Sequence, residues 1–242
     1  MNGRAVLSKR KLISQTSKRN QKKTVTEHQT KSTERIKNHG EVYTNKREVD
    51  AMLNLVSHEM ERIESRVLEP ACGTGNFLAE VLARKLAIVK ARYQKDQFDY
   101  ERYAVIAVSS IYGIDILEDN IEACRERLLE IFLNHYKASY KEKIKEECLK
   151  VVEYILGKNI IWGDALSLRT VCGEEHPIIF SEWAPVNGDK VKRRDFSFRE
   201  LMSEAEIKAM PLFSDLGEEV YLPTPIKDYP LKSFLRLHEL DE

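Results

Sequence analysis

Between Lys46 and Glu64 the apolar residues Val49, Leu53, Val56, Met60 and Ile63 recur at three- or four-residue steps, which predicts a helix with one buried face. A short run at Arg66–Glu69 then reads as a strand. Two glycines follow, Gly73 and Gly75, and Asn76 is placed to cap a second helix through Phe77, Leu78, Val81, Leu82 and Leu86. Tyr93 to Tyr103 reads as an aromatic, charged insertion. Ala104 to Ile114 then forms an almost unbroken apolar run, the pattern of a strand buried on both faces, and it leads into Asp115 and Ile116.

Asp119 and Glu122 have capping-box spacing ahead of a helix whose inner face is Ile121, Cys124, Leu128, Ile131 and Phe132. Ile144, Cys148, Val151 and Ile155 continue the pattern as far as Gly157, with a bend expected between His135 and Ser139 because the run is too long for one crossover. Asn159–Trp162 and Pro177–Phe180 read as the third and fourth strands. Phe196 and Phe198 alternate with polar residues, as sheet packing or an aromatic platform requires. The region from Leu201 to Leu216 looks helical before prolines break it up. Strands alternating with long helices predict an α/β domain with a parallel sheet.

The first glycine turn carries the most chemistry. In Val67-Leu68-Glu69-Pro70-Ala71-Cys72-Gly73-Thr74-Gly75-Asn76-Phe77 a strand, a turn and a helix start are compressed together, and the glycines let backbone approach a ligand closely. The turn lacks the Gly-Lys-Ser/Thr ending of a triphosphate loop. Glu69 would repel phosphates while accepting hydrogen bonds from a hydroxyl or an ammonium. Asp115, closing the second strand, is positioned to accept both hydroxyl hydrogens of a ribose; its other reading is a residue that merely precedes a helix.

The segment Glu69-Pro70-Ala71-Cys72-Gly73-Thr74-Gly75-Asn76-Phe77 resembles the first motif of class I S-adenosylmethionine-dependent methyltransferases, in the form found in DNA adenine-N6 methyltransferases of restriction-modification systems. Gly40-Glu41-Val42-Tyr43-Thr44-Asn45 is similar to the family's upstream cofactor motif, with Asn45 where a proline is expected. The resemblance spans roughly residues 40 to 183. It implies a Rossmann-like sheet with helices on both faces, incomplete toward the C-terminus, and S-adenosyl-L-methionine as cofactor. Tyr43 and Thr44 would lie over the methionine end, and Glu69, Ala71, Gly73 and Gly75 would surround the amino acid and sugar. Asp115 would hold the ribose, Ile116 would stack beside adenine, and Asp164 of Gly163-Asp164-Ala165-Leu166 would accept from the adenine amino group.

The family's catalytic Asn/Asp-Pro-Pro-Tyr/Phe motif is replaced here by Ser181-Glu182-Trp183-Ala184-Pro185. By position, Ser181 and Glu182 stand for the polar residue that receives the amine hydrogens, and Trp183 for the aromatic that stacks on a flipped base. Trp183 reads equally well as a core or lid residue. Lys190, Lys192, Arg193 and Arg194 follow the turn signal Asn187-Gly188-Asp189 and are candidates for clamping a nucleic-acid backbone.

With 242 residues the chain has room for one full core. We read residues 1–40 as a basic arm and 41–242 as the methyltransferase-like domain. Formal net charge is zero, so bulk composition favours no nucleic-acid partner. The distribution is uneven: residues 1 to 41 hold eleven Lys/Arg against three Glu, which suits phosphate contacts or an acidic partner subunit. Cys72, Cys124, Cys148 and Cys172 are scattered without zinc-site spacing, so no metal is expected and a reducing cytoplasm is. No apolar run has membrane length. The resemblance implies DNA as a partner; with no room for a large target-recognition domain, the chain would need a specificity or restriction-system subunit, act with little sequence selectivity, or have ceased to methylate. The readings are therefore methyl transfer to nucleic acid, foremost to DNA adenine N6; a catalytically degenerate cofactor-binding subunit of a restriction or defence assembly; or methylation of a protein or small molecule.

Overall fold

The computed structural model describes residues 44–202 and 223–241, so the basic arm and most of the proline-punctuated stretch lie outside the described residues. Helix α1 (Lys46–Leu55) starts at Asn45, whose side chain accepts from the Arg47 amide at 3.2 Å while its own amide donates to Glu48. The residue that departs from the expected proline is thus a capping residue. The predicted helix to Glu64 is interrupted at Val56. A one-turn α2 (Ser57–Met60) follows, which keeps Met60 and Ile63 in the core while the chain turns into β1 (Val67–Glu69).

The glycine turn opens helix α3 (Asn76–Tyr93), with Gly75 rather than Asn76 at the cap. Helix α4 (Gln97–Ser109) and strand β2 (Ile111–Asp115) then correct the expectation of a strand from Ala104. Asp96 caps α4 by accepting from the Asp99 amide at 3.0 Å, and every residue from Ala104 to Ser109 is buried. A helix buried all round has the same unbroken apolar signature as a buried strand, so periodicity alone could not separate the two. The aromatic insertion is likewise helical, with Tyr93 stacked on Tyr103 at 3.9 Å.

Helix α5 (Glu118–Tyr140) buries Ile121, Cys124, Leu128 and Phe132 as expected. Asp119 and Glu122 lie inside the helix instead of capping it. The break comes at Lys141, whose φ is 51°, and not at His135–Ser139. Helix α6 (Glu146–Asn159) passes through Gly157 and ends at Asn159, ahead of β3 (Ile160–Asp164).

Strands β1, β2 and β3 are parallel neighbours in that order, and the short β4 (Arg169–Thr170) pairs antiparallel with β3. This is a mixed α/β architecture with alternating helices and a partly parallel sheet, consistent with Rossmann-like topology. One face of the sheet, through Ile111 and Ile160, joins the core built by α3–α6. The other face presents Tyr112 and Ile114 to Ile178, Phe180 and Phe198, so a strand-rich segment stands where covering helices were expected.

That segment is a second sheet. Strands β5 (Ile179–Pro185) and β6 (Lys190–Ser197) form a hairpin across a turn with Gly188 at φ 72°, and β7 (Lys227–Asp228) and β8 (Lys232–Ser233) both pair with β6. The fourth strand was expected at Pro177–Phe180. The observed β5 begins later and runs through Ser181, Glu182 and Trp183.

Candidate cofactor site

The carboxyl ends of the parallel strands bring together Glu69, the glycine turn, Asp115 and Asp164. Gly73 and Gly75 have φ of 51° and 80°, a region costly for other residues. A side chain on Gly75 would also stand 2.7 Å from Cys124 Sγ, whereas nothing lies within 4 Å of the corresponding position on Gly73. Gly75 is closed by α5, and Gly73 faces open space.

Asp115 ties the turn to the second strand. Its Oδ2 accepts from the Gly73 amide at 2.9 Å; its Oδ1 accepts from the Leu117 amide at 2.9 Å and from Asn120 Nδ2 at 3.1 Å. Three donors fill most of the roughly four acceptor positions of a carboxylate. Burial pushes the Glu69 carboxyl above its ordinary range, against the opposing hydrogen bond from the Ala71 backbone. Asp164 is held below the ordinary carboxylate range by the Leu166 amide and by the Ser167 hydroxyl. Below the turn, Cys72 and Cys124 are buried as neighbours, and the Cys124 contact and burial raise the Cys72 thiol, which disfavours its reactive thiolate.

Two apolar side chains stand out at the same end. Ile116 is 54% exposed just past β2 and Leu166 is 95% exposed just past β3, and the Trp162 indole donates to the Ile116 carbonyl at 2.9 Å. Carboxylates at this end accept hydrogen bonds from neutral or cationic donors and disfavour a polyphosphate. Thr44 is half-buried ahead of α1, Ala71 is exposed in the turn, and Tyr43 lies outside the described residues.

Ser181, Glu182 and Trp183 are not brought to this cluster. Strand β5 runs against the parallel strands: Ile178 packs on Gly163 near the carboxyl end of β3, whereas Glu182 is ion-paired with Arg66, immediately before β1. The Trp183 indole donates to Asn159 Oδ1 at 3.0 Å, and Asn159 donates to the carbonyls of Ser109 and Ile111 at the start of β2. Trp183 therefore sits by the amino ends of the strands. Ser181 donates to Asp195 at 2.7 Å, and its carbonyl accepts from the Tyr112 hydroxyl at 3.0 Å.

The basic cluster also divides. Arg193 is 3% exposed, held by Asp195 and Asp241 at 2.9 Å each and enclosed by the rings of Tyr154, Trp183 and Tyr229. Placing it on a phosphate-facing surface is corrected by this burial. Lys192 pairs with Asp228, Arg194 with Glu182 and Lys190 with Asp189, all on the opposite strand face from Arg193. The sequence reading missed Asn120, Asn159, Arg66 and Asp195. Asn120 had a signal, five residues beyond Asp115 at a helix start, and Asp195 had one in Arg193 two residues before it; Asn159 and Arg66 had none, since their partners are distant in sequence.

Among the described residues no helix is long and apolar enough to cross a membrane, and no cluster of three His, Cys, Asp or Glu could hold a metal ion. Neither known protein families nor curated proteins nor solved structures give a match to this chain.

Proposed function

We propose that the chain binds S-adenosyl-L-methionine at the carboxyl ends of β1–β3 and serves methyl transfer to nucleic acid, with the N6 amino group of DNA adenine as acceptor. The observation that carries this reading is the Asp115 carboxylate bonded to the Gly73 amide, which joins the end of β2 to a turn with two left-handed glycines. Ligands of open parallel sheets bind at such a crevice. Glu69, Ala71, Gly73 and Gly75 would hold the amino acid and sugar, Asp115 one ribose hydroxyl through its remaining acceptor position, Ile116 and Asp164 the adenine, and Thr44, with Tyr43, the methionine end. The exposed Ile116 supports the fit, since an adenine ring gives it an apolar partner.

When bound, the cofactor supplies a methyl group already activated on a sulfonium. The protein's own residues need only orient the two partners and accept hydrogen bonds. Calorimetric titration of the full chain with S-adenosyl-L-methionine tests the reading. Asp115→Ala is expected to weaken binding tenfold to a hundredfold, corresponding to the loss of about 1.5–3 kcal/mol of charge-assisted hydrogen bonding. Equal affinity in a folded variant removes Asp115 from the ribose role.

A second reading is favoured by one observation. Ser181 and Trp183 are engaged in the interior at the amino ends of the strands, which suits a cofactor-binding subunit of a restriction or defence assembly whose acceptor-binding loop comes from another chain. Incubation with methyl-tritiated cofactor and unmethylated DNA separates the two. Label in N6-methyladenine supports an active enzyme, and its absence while cofactor binding persists supports the subunit.

A further inference from the structure

A cavity of about 490 Å3 lies between the second face of the parallel sheet and the β5–β6 hairpin. It is separate from the Asp115 cluster: its floor is Arg66, Leu68 and Tyr112, residues whose side chains share the sheet face turned away from the helices. Its roof is two cross-strand pairs, Phe180 opposite Phe196 and Glu182 opposite Arg194. The volume falls in the range that takes a small organic ligand.

The walls have two chemistries. Phe180 meets Tyr112 and Phe198 edge to face at ring-centroid distances of 5.3 Å each, so one end is a cage of aromatic rings. At the other end Arg66 and Arg194 flank Glu182, two guanidinium groups against one carboxylate. Arg194 Nε is buried without a hydrogen-bond partner. Glu182 Oε2 is in ion-pair contact with a terminal Arg194 nitrogen at 2.6 Å but accepts no aligned hydrogen bond. Arg194 Nε is a buried donor without a partner, a cost that a shift of the guanidinium onto a ligand acceptor removes, whereas Glu182 Oε2 already has its charge partner in Arg194.

We propose that this cavity is a second nucleotide site, distinct from the cofactor site, in which the base lies among Tyr112, Phe180 and Phe196 and its polar edge meets the Arg66–Glu182–Arg194 cluster. Every nucleobase carries an acceptor beside a donor, and every base has a ring face for aromatic walls. The surplus positive charge at Arg66 and Arg194 suits the phosphate. A free mononucleotide and one nucleotide of a single strand share this chemistry.

The test is calorimetric titration of the full chain, saturated with S-adenosyl-L-methionine, with AMP, CMP and a short mixed-sequence single-stranded DNA. At least one probe is expected to bind. Arg194→Gln and, beside it on the same roof, Phe196→Leu are each expected to weaken it about tenfold, given the strength of one charge-assisted hydrogen bond and one stacked base. Cofactor affinity, measured separately on the same variants, is expected to be unchanged, so this site and the cofactor site can fail independently. Equal binding of mononucleotides and DNA assigns a free nucleotide, and binding of DNA alone assigns a strand; both support the site. No binding by the folded wild type overturns it. So does binding that survives both substitutions, and so does binding lost only in Asp115→Ala.

Discussion

The two ends of the parallel sheet are built on different principles. At the carboxyl ends, Asp115 accepts from Leu117 and Asn120, and Asp164 from Leu166 and Ser167, so most bonds span five residues or fewer. At the amino ends the bonds join distant segments: Trp183 to Asn159, Arg193 to Asp241, Arg66 to Glu182, and Lys85 to Ile63 and Ser110. Local bonds fix the shape of a loop. Long-range bonds fasten elements together, and they use the polar residues that composition would assign to function. Lys85 is an instance: fully buried by the helices, it is pushed down to about 8 by that burial, and its bonds anchor the chain ahead of β1 and β2.

The sharpest way to break this comparison is Arg193→Ala. Removing the guanidinium strands the buried Asp195 carboxylate, and stability is expected to fall by about 3–5 kcal/mol in denaturant unfolding. A loss of less than about 1 kcal/mol would mean that the amino-end network is not structural. Gly75→Ala probes the other end. An L side chain at φ 80° facing Cys124 Sγ is expected to cost about 2–3 kcal/mol and to weaken cofactor binding, whereas the same change at Gly73, with open space beyond it, is expected to cost about 1 kcal/mol from its backbone alone.

The smallest effect concerns acid. Burial raises the Asp241 carboxyl, but Lys158, Tyr154 and Arg193 outweigh it and hold it at about 2 against an ordinary 3.8. A lowered folded-state value means that its stabilisation is present above the ordinary value and is lost as pH falls from 3.8 through about 2. Partial exposure limits this to about 1 kcal/mol. Asp241→Asn is therefore expected to be less stable than wild type near neutrality, with the gap in unfolding midpoint closing over that window. A gap independent of pH would remove Asp241 from the network.

The legible part of the fold was its local part. The β1 strand, the glycine turn, the buried faces of α3 and α5 and the acidic ends of β2 and β3 follow from spacing and residue type, because backbone conformation and amphipathic burial are properties of short windows. The misread helix α4 marks the limit of that rule. Its run from Ala104 to Ser109 is buried on every side, so it carries no period to distinguish helix from strand.

By itself the sequence determined an alternating α/β chain with a glycine turn and two carboxylates at strand ends, since each of these depends on neighbours within a few residues. Tertiary structure alone decided the direction of β5. Pairing with β6 and packing against Tyr112 turn it against the parallel strands, carrying Ser181, Glu182 and Trp183 to the amino ends and turning Arg193 inward while Lys192 and Arg194 face the other way. A strand shows alternate residues to opposite sides, and which side meets the core depends on partners that no local window contains.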